Sequence, residues 1–306
     1  MTCTTCMTLH ISLKILSLAS IETFSYMAWY KFVAKLSHLS FSYLERINNF
    51  NQRIINFFHA VQTGFWLGVM GEKSLDYSDE LIYNSTKKYR EDNYNLSGLF
   101  DWEKPMIQKH FLNAKNILVI AAGGGREVVA LSRMGFEVDA YECNTTLVDY
   151  ATSLLQGNGI KSTIKYLPRN TVPDEIKKYD GIIIGWGAYS FITSSKKRLS
   201  FLSDLYPFLH KESSLIISFL YSKRRNKSDK VIKNVSNFFR FFSGSDTTEA
   251  GDRLVPDYMH YFTEEEIKDE LTRCNYKVKD FQIMGDGCVI AGILIPETAH
   301  GSEETV

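Results

Sequence analysis

The chain has little cysteine and no excess of either charge, and each shortage narrows what it can be. Its five cysteines, Cys3, Cys6, Cys143, Cys274 and Cys288, are odd in number and scattered. Such a pattern builds no disulfide framework and fits a reducing, cytoplasmic compartment. Cys3 and Cys6 have C-x-x-C spacing, but no second pair and no nearby histidine completes a zinc site, so they read as part of a disordered terminus and no metal is expected. Lys and Arg total 35 and Asp and Glu total 35, a formal balance of zero. That argues against a broad nucleic-acid-binding surface. The densest basic run, Lys223 to Lys227, is short, lacks interleaved aromatics and reads as a solvated loop.

Long apolar runs are missing from the first residues as well. Between positions 9 and 36, Lys14, Glu22, Lys31 and Lys35 interrupt the Leu, Ile and aromatic residues. No transmembrane helix is expected there, which would need about 18 uncharged residues. Without a basic segment ahead of the apolar stretch, no signal peptide is expected either. The triplets at Asn84 and Asn144 that match a glycosylation acceptor are read as chance in an Asn- and Ser-rich chain. Nor is there a G-x-S-x-G elbow, a Walker A loop, an H-E-x-x-H helix or a Cys/His metal constellation.

What is present is concentrated between residues 117 and 144. Ile117 to Ile120 form a short unbroken apolar run, as in a strand buried on both faces of a parallel sheet. Ala121, Ala122, Gly123, Gly124 and Gly125 follow at once, permitting positive φ and removing side-chain bulk where a ligand would lie against the backbone. Arg126 to Met134 reads as a helix whose N-terminus would offer that ligand free N–H groups. A second strand, 137–141, runs into Glu142, about twenty residues beyond the glycines. A carboxylate there can accept two hydrogen bonds from the vicinal hydroxyls of a ribose. The unit reads as a nucleoside-binding βαβ.

The dinucleotide fingerprint G-x-G-x-x-G/A fails at its third position, which is Val128. The order apolar strand, A-A-G-G-G-R-E, apolar strand, Y-E-C-N resembles instead motifs I and II of the class I S-adenosylmethionine-dependent methyltransferases. The resemblance runs from about Asn95 to Ile295. It implies a Rossmann-like, mostly parallel seven-stranded sheet with an antiparallel C-terminal hairpin. It also implies S-adenosyl-L-methionine as cofactor, with Ala121, Ala122, Gly123 and Gly125 around the methionine part and Glu142, with Cys143 beside it, at the ribose. The turn after the third strand often carries an acid or amide near the adenine amino group, a place held here by Asn170. An Asn ahead of Pro173 is equally good turn chemistry.

The chain before the glycine turn looks helical. From Leu39 onward apolar residues recur at 43/44, 47, 50, 54, 57/58 and 61, with polar residues between them, so a helix packing its stripe on the main domain is expected. Gly64 to Gly71 is apolar and punctuated by glycine. Tyr77, Tyr83, Tyr89 and Tyr94 mark a further helical stretch, and the resemblance implies a lid whose Tyr89, Tyr94 and Asn95 line the site. Asp101 is positioned to cap a helix over 102–111. The expected domains are a helical cap over 1–97, a Rossmann-like domain over 98–296 and a disordered tail over 297–306.

After the Glu142 turn, helices are expected over 147–156 and 198–209 and strands over 162–166, 181–184 and 214–221. Gly185, Trp186 and Tyr189 fall at the C-terminal end of the 181–184 strand, where open α/β sheets place ligands. The acidic/asparagine-proline-proline-aromatic signature of DNA- and glutamine-directed relatives is absent at that position, pointing to a small-molecule acceptor. Residues 223–257 read as a helix plus an insertion. Thr263 with Glu266 is a capping box opening a helix to Cys274. Two final strands, 276–284 and 288–295, flank a Gly285-Asp-Gly287 turn.

Methyl transfer from a sulfonium needs an in-line acceptor more than a protein nucleophile. Where the acceptor must lose a proton, His260 is the candidate base, with Tyr258 and Tyr261 near it to orient a substrate. His59 and His110 are read as structural. The competing readings are an NAD(P)-dependent oxidoreductase, against which Val128 and the terminal hairpin argue, and a cofactor-binding protein without catalysis. Oligomeric state does not follow from the residues.

Overall fold

The computed structural model describes the backbone of residues 4–243, 246–284 and 287–294, and side chains within 31–242, 246–284 and 287–293. The Gly285-Asp286 part of the expected hairpin turn, the side chains of Cys3 and Cys6, and the tail after residue 296 lie outside that set. The chain divides into two compact units, Met1–His59 and Ala60–Val306.

The described residues of the first unit belong to a single helix, α1 (Thr4–Val69). Along its apolar stripe Tyr43, Ile47, Phe50, Ile54 and Phe57 are exposed. Among the described residues no helix is long and apolar enough to cross a membrane.

In the second unit the last turns of α1 meet a later helix: a Cβ on Gly64 or Gly68 would strike Val235 or Phe239. Then follow α2 (Glu72–Ser85), a 3-10 turn over Lys87–Arg90, α3 (Asp92–Asn95) and α4 (Glu103–His110). Asp101 does not cap α4; the helix starts from Trp102 without a side-chain cap, and Glu103 accepts from the Phe100 N–H at 2.7 Å in its place.

The alternating elements come next: β1 (Asn116–Ile120), α5 (Arg126–Arg133), β2 (Glu137–Glu142), α6 (Thr145–Gly157), β3 (Thr163–Tyr166), β4 (Tyr179–Ile184), α7 (Ser195–Asp204) and β5 (Leu209–Leu220). The chain finishes with α8 (Lys227–Ser243), the short pair β6 (Asp252–Leu254) and β7 (Tyr258–His260), α9 (Glu264–Arg273), β8 (Tyr276–Met284) and β9 (Gly287–Leu294). The predicted capping box is present, since Thr263 accepts from the Glu266 N–H and Glu266 returns the bond.

Seven strands form one sheet in the order β3-β2-β1-β4-β5-β9-β8. β1 to β5 pair in parallel, and β9 runs antiparallel to both β5 and β8. Because side chains alternate along a strand, β1 serves two cores at once. Ile117 and Val119 pack with Val128, Leu131 and Leu154 beneath α5 and α6. Leu118 and Ile120 pack with Phe201, Leu202 and Leu271 beneath α7 and α9. Burial on both faces explains why β1 and β4 read as continuous apolar runs. The strand order reverses direction between β1 and β4, and a crevice opens there beyond the strand ends.

Candidate functional site

The crevice at the β1/β4 switch is a cleft enclosing about 1070 Å³ of atom-free space open to solvent. Its walls come from the turns after β1, β2, β3 and β4 and from α2, the 3-10 turn and α3.

The turn after β1 is shaped by its glycines. Gly123 and Gly125 have φ of 55° and 96°, in the left-handed region where a Cβ is costly. Gly124 is required for a different reason. A Cβ there would sit 2.1 Å from the Tyr89 carbonyl and 2.6 Å from Asn95 Oδ1, so the segment 89–95 lies directly on the turn. Ala121 also takes a positive φ, 59°, a strained value for an alanine beside a ligand site. From Gly125 the chain enters α5, whose first N–H groups face the turn.

Glu142 ends β2 and is buried. Its Oε2 accepts from the Gly123 N–H at 2.8 Å and its Oε1 from the Asn144 N–H at 2.9 Å. Oε1 also accepts from the Cys143 thiol at 3.4 Å, so of the about four lone-pair sites of a carboxylate the one left toward the cleft is on Oε2. The adjoining Cys143 thiol is pushed up to about 12, first by burial and then by the Glu142 charge, and stays protonated.

Sequence reasoning brought Ala121, Ala122, Gly123, Glu142, Cys143, Asn170, Trp186, Tyr89, Tyr94 and Asn95 to one place, and all of them line this cleft. Gly125 lies just behind the turn as the α5 N-cap. Gly185 lines a smaller cavity behind Trp186, with its N–H on the Ile120 carbonyl at 2.8 Å.

Three expected residues are elsewhere. Tyr189 is fully buried and donates to Glu270 Oε2 at 2.7 Å, stacked on Phe262. Tyr258 donates to Asp252 Oδ1 at 2.8 Å and borders two smaller cavities, one of which shares Asp79, Arg169 and Asn170 with the cleft. His260 is 2% exposed, with Nδ1 2.7 Å from Asp252 and its ring 4.5 Å from that of Phe262. Tyr189 was expected at the ligand from its place after a strand, His260 as a base that titrates near neutrality, and Tyr258 as its neighbour. The short β6/β7 pair turns Tyr258 and His260 inward, to serve the polar interior around Arg198 and Asp252.

Glu249, Asp252 and His260 bring ligand-type atoms within 4.8 Å of one another. The donor set does not suit a cation, because protein groups already occupy it. Glu249 accepts from the Ser195 N–H and Arg198, and Asp252 from Tyr258 and the Glu249 N–H. The guanidinium of Arg225 also lies 3.4 Å from His260 Nε2.

Of the wall residues, Asp79, Arg169, Arg126 and Glu127 were not singled out as site residues from the sequence. Asp79 is buried, ion-paired through Oδ2 with Arg169, while its Oδ1 has no donor. Burial, outweighing the Arg169 charge, raises its carboxyl to about 6. Asn95 Oδ1 is likewise buried without a donor. Tyr83 packs on Tyr89 with ring centroids 5.3 Å apart, and burial raises both hydroxyls. Arg126 and Glu127 also line the cleft. Their signal was their place in G-G-G-R-E; for Asp79 and Arg169 there was none, since 90 residues separate a pair that only folding unites.

No protein-family model matches the chain, and no curated protein matches it by sequence. Solved structures do match. One is a S-adenosylmethionine-dependent methyltransferase from Methanosarcina mazei, 18% identical, TM-score 0.51, covering 65% of this chain and 99% of that one. The chain has the class I methyltransferase fold. A second match is a protein from Pyrococcus horikoshii, 10% identical, TM-score 0.52, covering 70% of this chain and 99% of the other. A third is the 1,6-didemethyltoxoflavin-N1-methyltransferase of Burkholderia thailandensis, solved with 1,6-didemethyltoxoflavin and S-adenosylhomocysteine. It is 14% identical, with TM-score 0.50 over 72% of this chain and 89% of that one. In this fold the terminal β8/β9 hairpin closes the sheet, as the two final apolar strands predict.

Proposed function

We propose that the protein transfers the methyl group of S-adenosyl-L-methionine to a small-molecule acceptor. The observation that carries this reading is the glycine turn tied to Glu142 at the mouth of a cleft within this fold. The residues fit the cofactor on their own chemistry: a backbone cradle with no room for a Cβ at Gly124, and a carboxylate with acceptor capacity at ribose distance along the sheet. Asp79 Oδ1 and Asn95 Oδ1, both without a donor, are available to N–H or O–H groups of bound molecules. When bound, the cofactor supplies an electrophilic methyl on a sulfonium.

In this reading Ala121 to Gly123 hold the methionine part, Glu142, with Cys143 beside it, the ribose hydroxyls, and Asn170 the base. Tyr89, Tyr94 and Trp186 form the wall against which an acceptor is held in line, at roughly 3–3.5 Å from the methyl carbon. Lining by tyrosines and apolar side chains supports a small organic acceptor. His260, away from the cleft, is assigned no part in proton removal.

Calorimetric titration with S-adenosylmethionine, S-adenosylhomocysteine and NADH tests the assignment. Saturable binding of the two adenosyl ligands and not of NADH is expected, and binding of NADH alone would replace the reading with an oxidoreductase.

A further inference from the structure

The basic run from Lys223 to Lys227 and the phenylalanines after it stand apart in the sequence and take no part in the cleft. Folding puts them on one exposed face. α8 buries Asp229, Ile232 and Ser236, spaced by three and four residues. Its opposite face carries Lys227, Lys230, Lys233, Phe238, Phe241 and Phe242, all exposed. The lysines occupy the first half of the helix and the rings its end. Phe238 follows Lys227, and Phe241 follows Lys230, by eleven residues. That is about three turns, so each pair shares a side of the helix, about 16 Å apart along its axis.

The rings form one patch. Phe238, Phe241 and Phe242 are 61%, 82% and 73% exposed. Gly64 and Gly68 let the end of α1 lie close on α8, which adds Phe65 and Trp66 at 37% and 47%. From Trp66 through Phe65, Phe239, Phe238 and Phe242 to Phe241, successive ring centroids are 5.1, 5.2, 5.3 or 5.5 Å apart. At about 200 Å² per ring, the five exposed ones leave on the order of 600 Å² of aromatic surface open. Soluble monomers rarely leave more than roughly a few hundred.

The charge beside the patch has one sign. Lys223, Arg224, Lys227, Lys230 and Lys233 are exposed, and among the described residues none of them is ion-paired. The acids between 223 and 247 are Asp229, buried and paired with Arg253, and Asp246, beyond the end of α8. Arg225 is paired with Glu266, and Arg240 donates to the Leu67 and Asp246 carbonyls.

That combination selects the occupant. A second copy of the chain, docked face to face, would set the same row of cations against itself. Bases of a nucleic acid need open ring faces, with cations between them along the strand. Here the rings meet edge to face, at 71° to 89°, and the cations are segregated from them. An anionic bilayer surface suits both halves. Aromatic rings settle at the boundary between headgroups and acyl chains, and lysines one to three turns back extend their ammonium groups to the lipid phosphates.

We propose that the exposed face of α8, with Phe65 and Trp66 of α1 beside it, docks the protein on an anionic lipid surface. The protein lies on the membrane by this face and does not span it. The inference is independent of the cofactor reading.

The test is sedimentation of the full chain with vesicles of phosphatidylcholine alone, or of phosphatidylcholine with about 30% phosphatidylserine. Wild-type protein should bind the anionic vesicles at least about tenfold more tightly, and the advantage should vanish at about 0.5 M salt. The triple variant Lys227→Gln, Lys230→Gln, Lys233→Gln should weaken binding to the anionic vesicles at least about tenfold. The double variant Phe241→Ser, Phe242→Ser should weaken binding to both kinds of vesicle. All five substitutions fall on exposed side chains, so circular dichroism and the urea midpoint should stay native. A wild-type protein without preference for the anionic vesicles, or binding undiminished in either variant, would overturn the assignment. Self-association in the ultracentrifuge that the phenylalanine variant abolishes, with no vesicle binding, would give the face to a second copy instead. Oligonucleotide binding that the lysine variant abolishes, with no vesicle binding, would give it to nucleic acid, and either result overturns the lipid assignment.

Discussion

The Gly123 N–H donates to Glu142 Oε2 across 2.8 Å, joining the glycine turn to the end of the neighbouring strand. The carboxylate proposed to hold the ribose is therefore also a strut of the turn beside it. With the Asn144 N–H on its other oxygen at 2.9 Å, Glu142 holds two turns in register. Replacing it disturbs ligand contact and local order together.

Glu142→Ala should weaken S-adenosylhomocysteine binding by about 1.5–3 kcal/mol, the range for hydrogen bonds to a charged group. It should also lower stability by about 1–3 kcal/mol, because two N–H groups lose their acceptor. Calorimetry and a urea midpoint read the two effects separately. A folded variant with unchanged affinity would remove Glu142 from the binding site.

Gly124→Ala places a methyl 2.1 Å from the Tyr89 carbonyl. Either the turn or the 89–95 segment must shift, at a cost of about 1–3 kcal/mol for overpacking. Binding should weaken at least tenfold while the far-ultraviolet circular dichroism stays native. Wild-type affinity in this variant would show that the segment does not lie on the turn in solution.

His260→Ala should act on stability rather than on binding. It removes the imidazole beside Asp252 and opens a cavity against Phe262. The expected loss is about 2–4 kcal/mol, read as a lower urea midpoint, with the affinity of the folded protein for S-adenosylhomocysteine unaltered. A large loss of affinity at full stability would return His260 to the site.

Acid stability should depend on Glu249. Burial works to raise its carboxyl, but the Arg198 charge and the Ser195 N–H outweigh it and lower it to about 2. A carboxyl lowered on folding contributes stability that is present above its unfolded value of 4.5 and is lost as the pH falls through about 2. The contribution is at most about 3 kcal/mol. Urea midpoints between about pH 5 and pH 2 should fall less steeply in Glu249→Gln than in wild type. Parallel curves would show that the Arg198 pairing does not act on folding.

The βαβ unit was legible because every signal in it is local. An apolar run, glycines at positive φ, a helix start and an acid at the next strand end all lie within 117–144. The capping box at Thr263 and Glu266 was legible for the same reason, since both bonds close within one turn. The Leu39-to-Val61 periodicity correctly marked a helix, but not what covers its stripe, because amphipathicity states only that one face is apolar. Tyr189 was misplaced because a residue after a strand can turn toward the cleft or into the core, and Tyr258 and His260 because side-chain chemistry alone does not say which way a residue faces. Glu270 decided it for Tyr189 from 81 residues away, and Asp252, six and eight residues away, for Tyr258 and His260.

By itself the sequence determined the sheet's apolar strands, the glycine turn and Glu142 at its edge, because each depends on backbone freedom or burial over a few residues. The tertiary structure alone decided which charged groups face the cleft. Asp79 meets Arg169, and Arg126 is committed to Glu103, across long separations in the chain. Glu127 shares the Arg126 guanidinium with Glu103 as a result of that second pairing. A charge balance belongs to groups gathered in space, and the order of residues along the chain does not contain it.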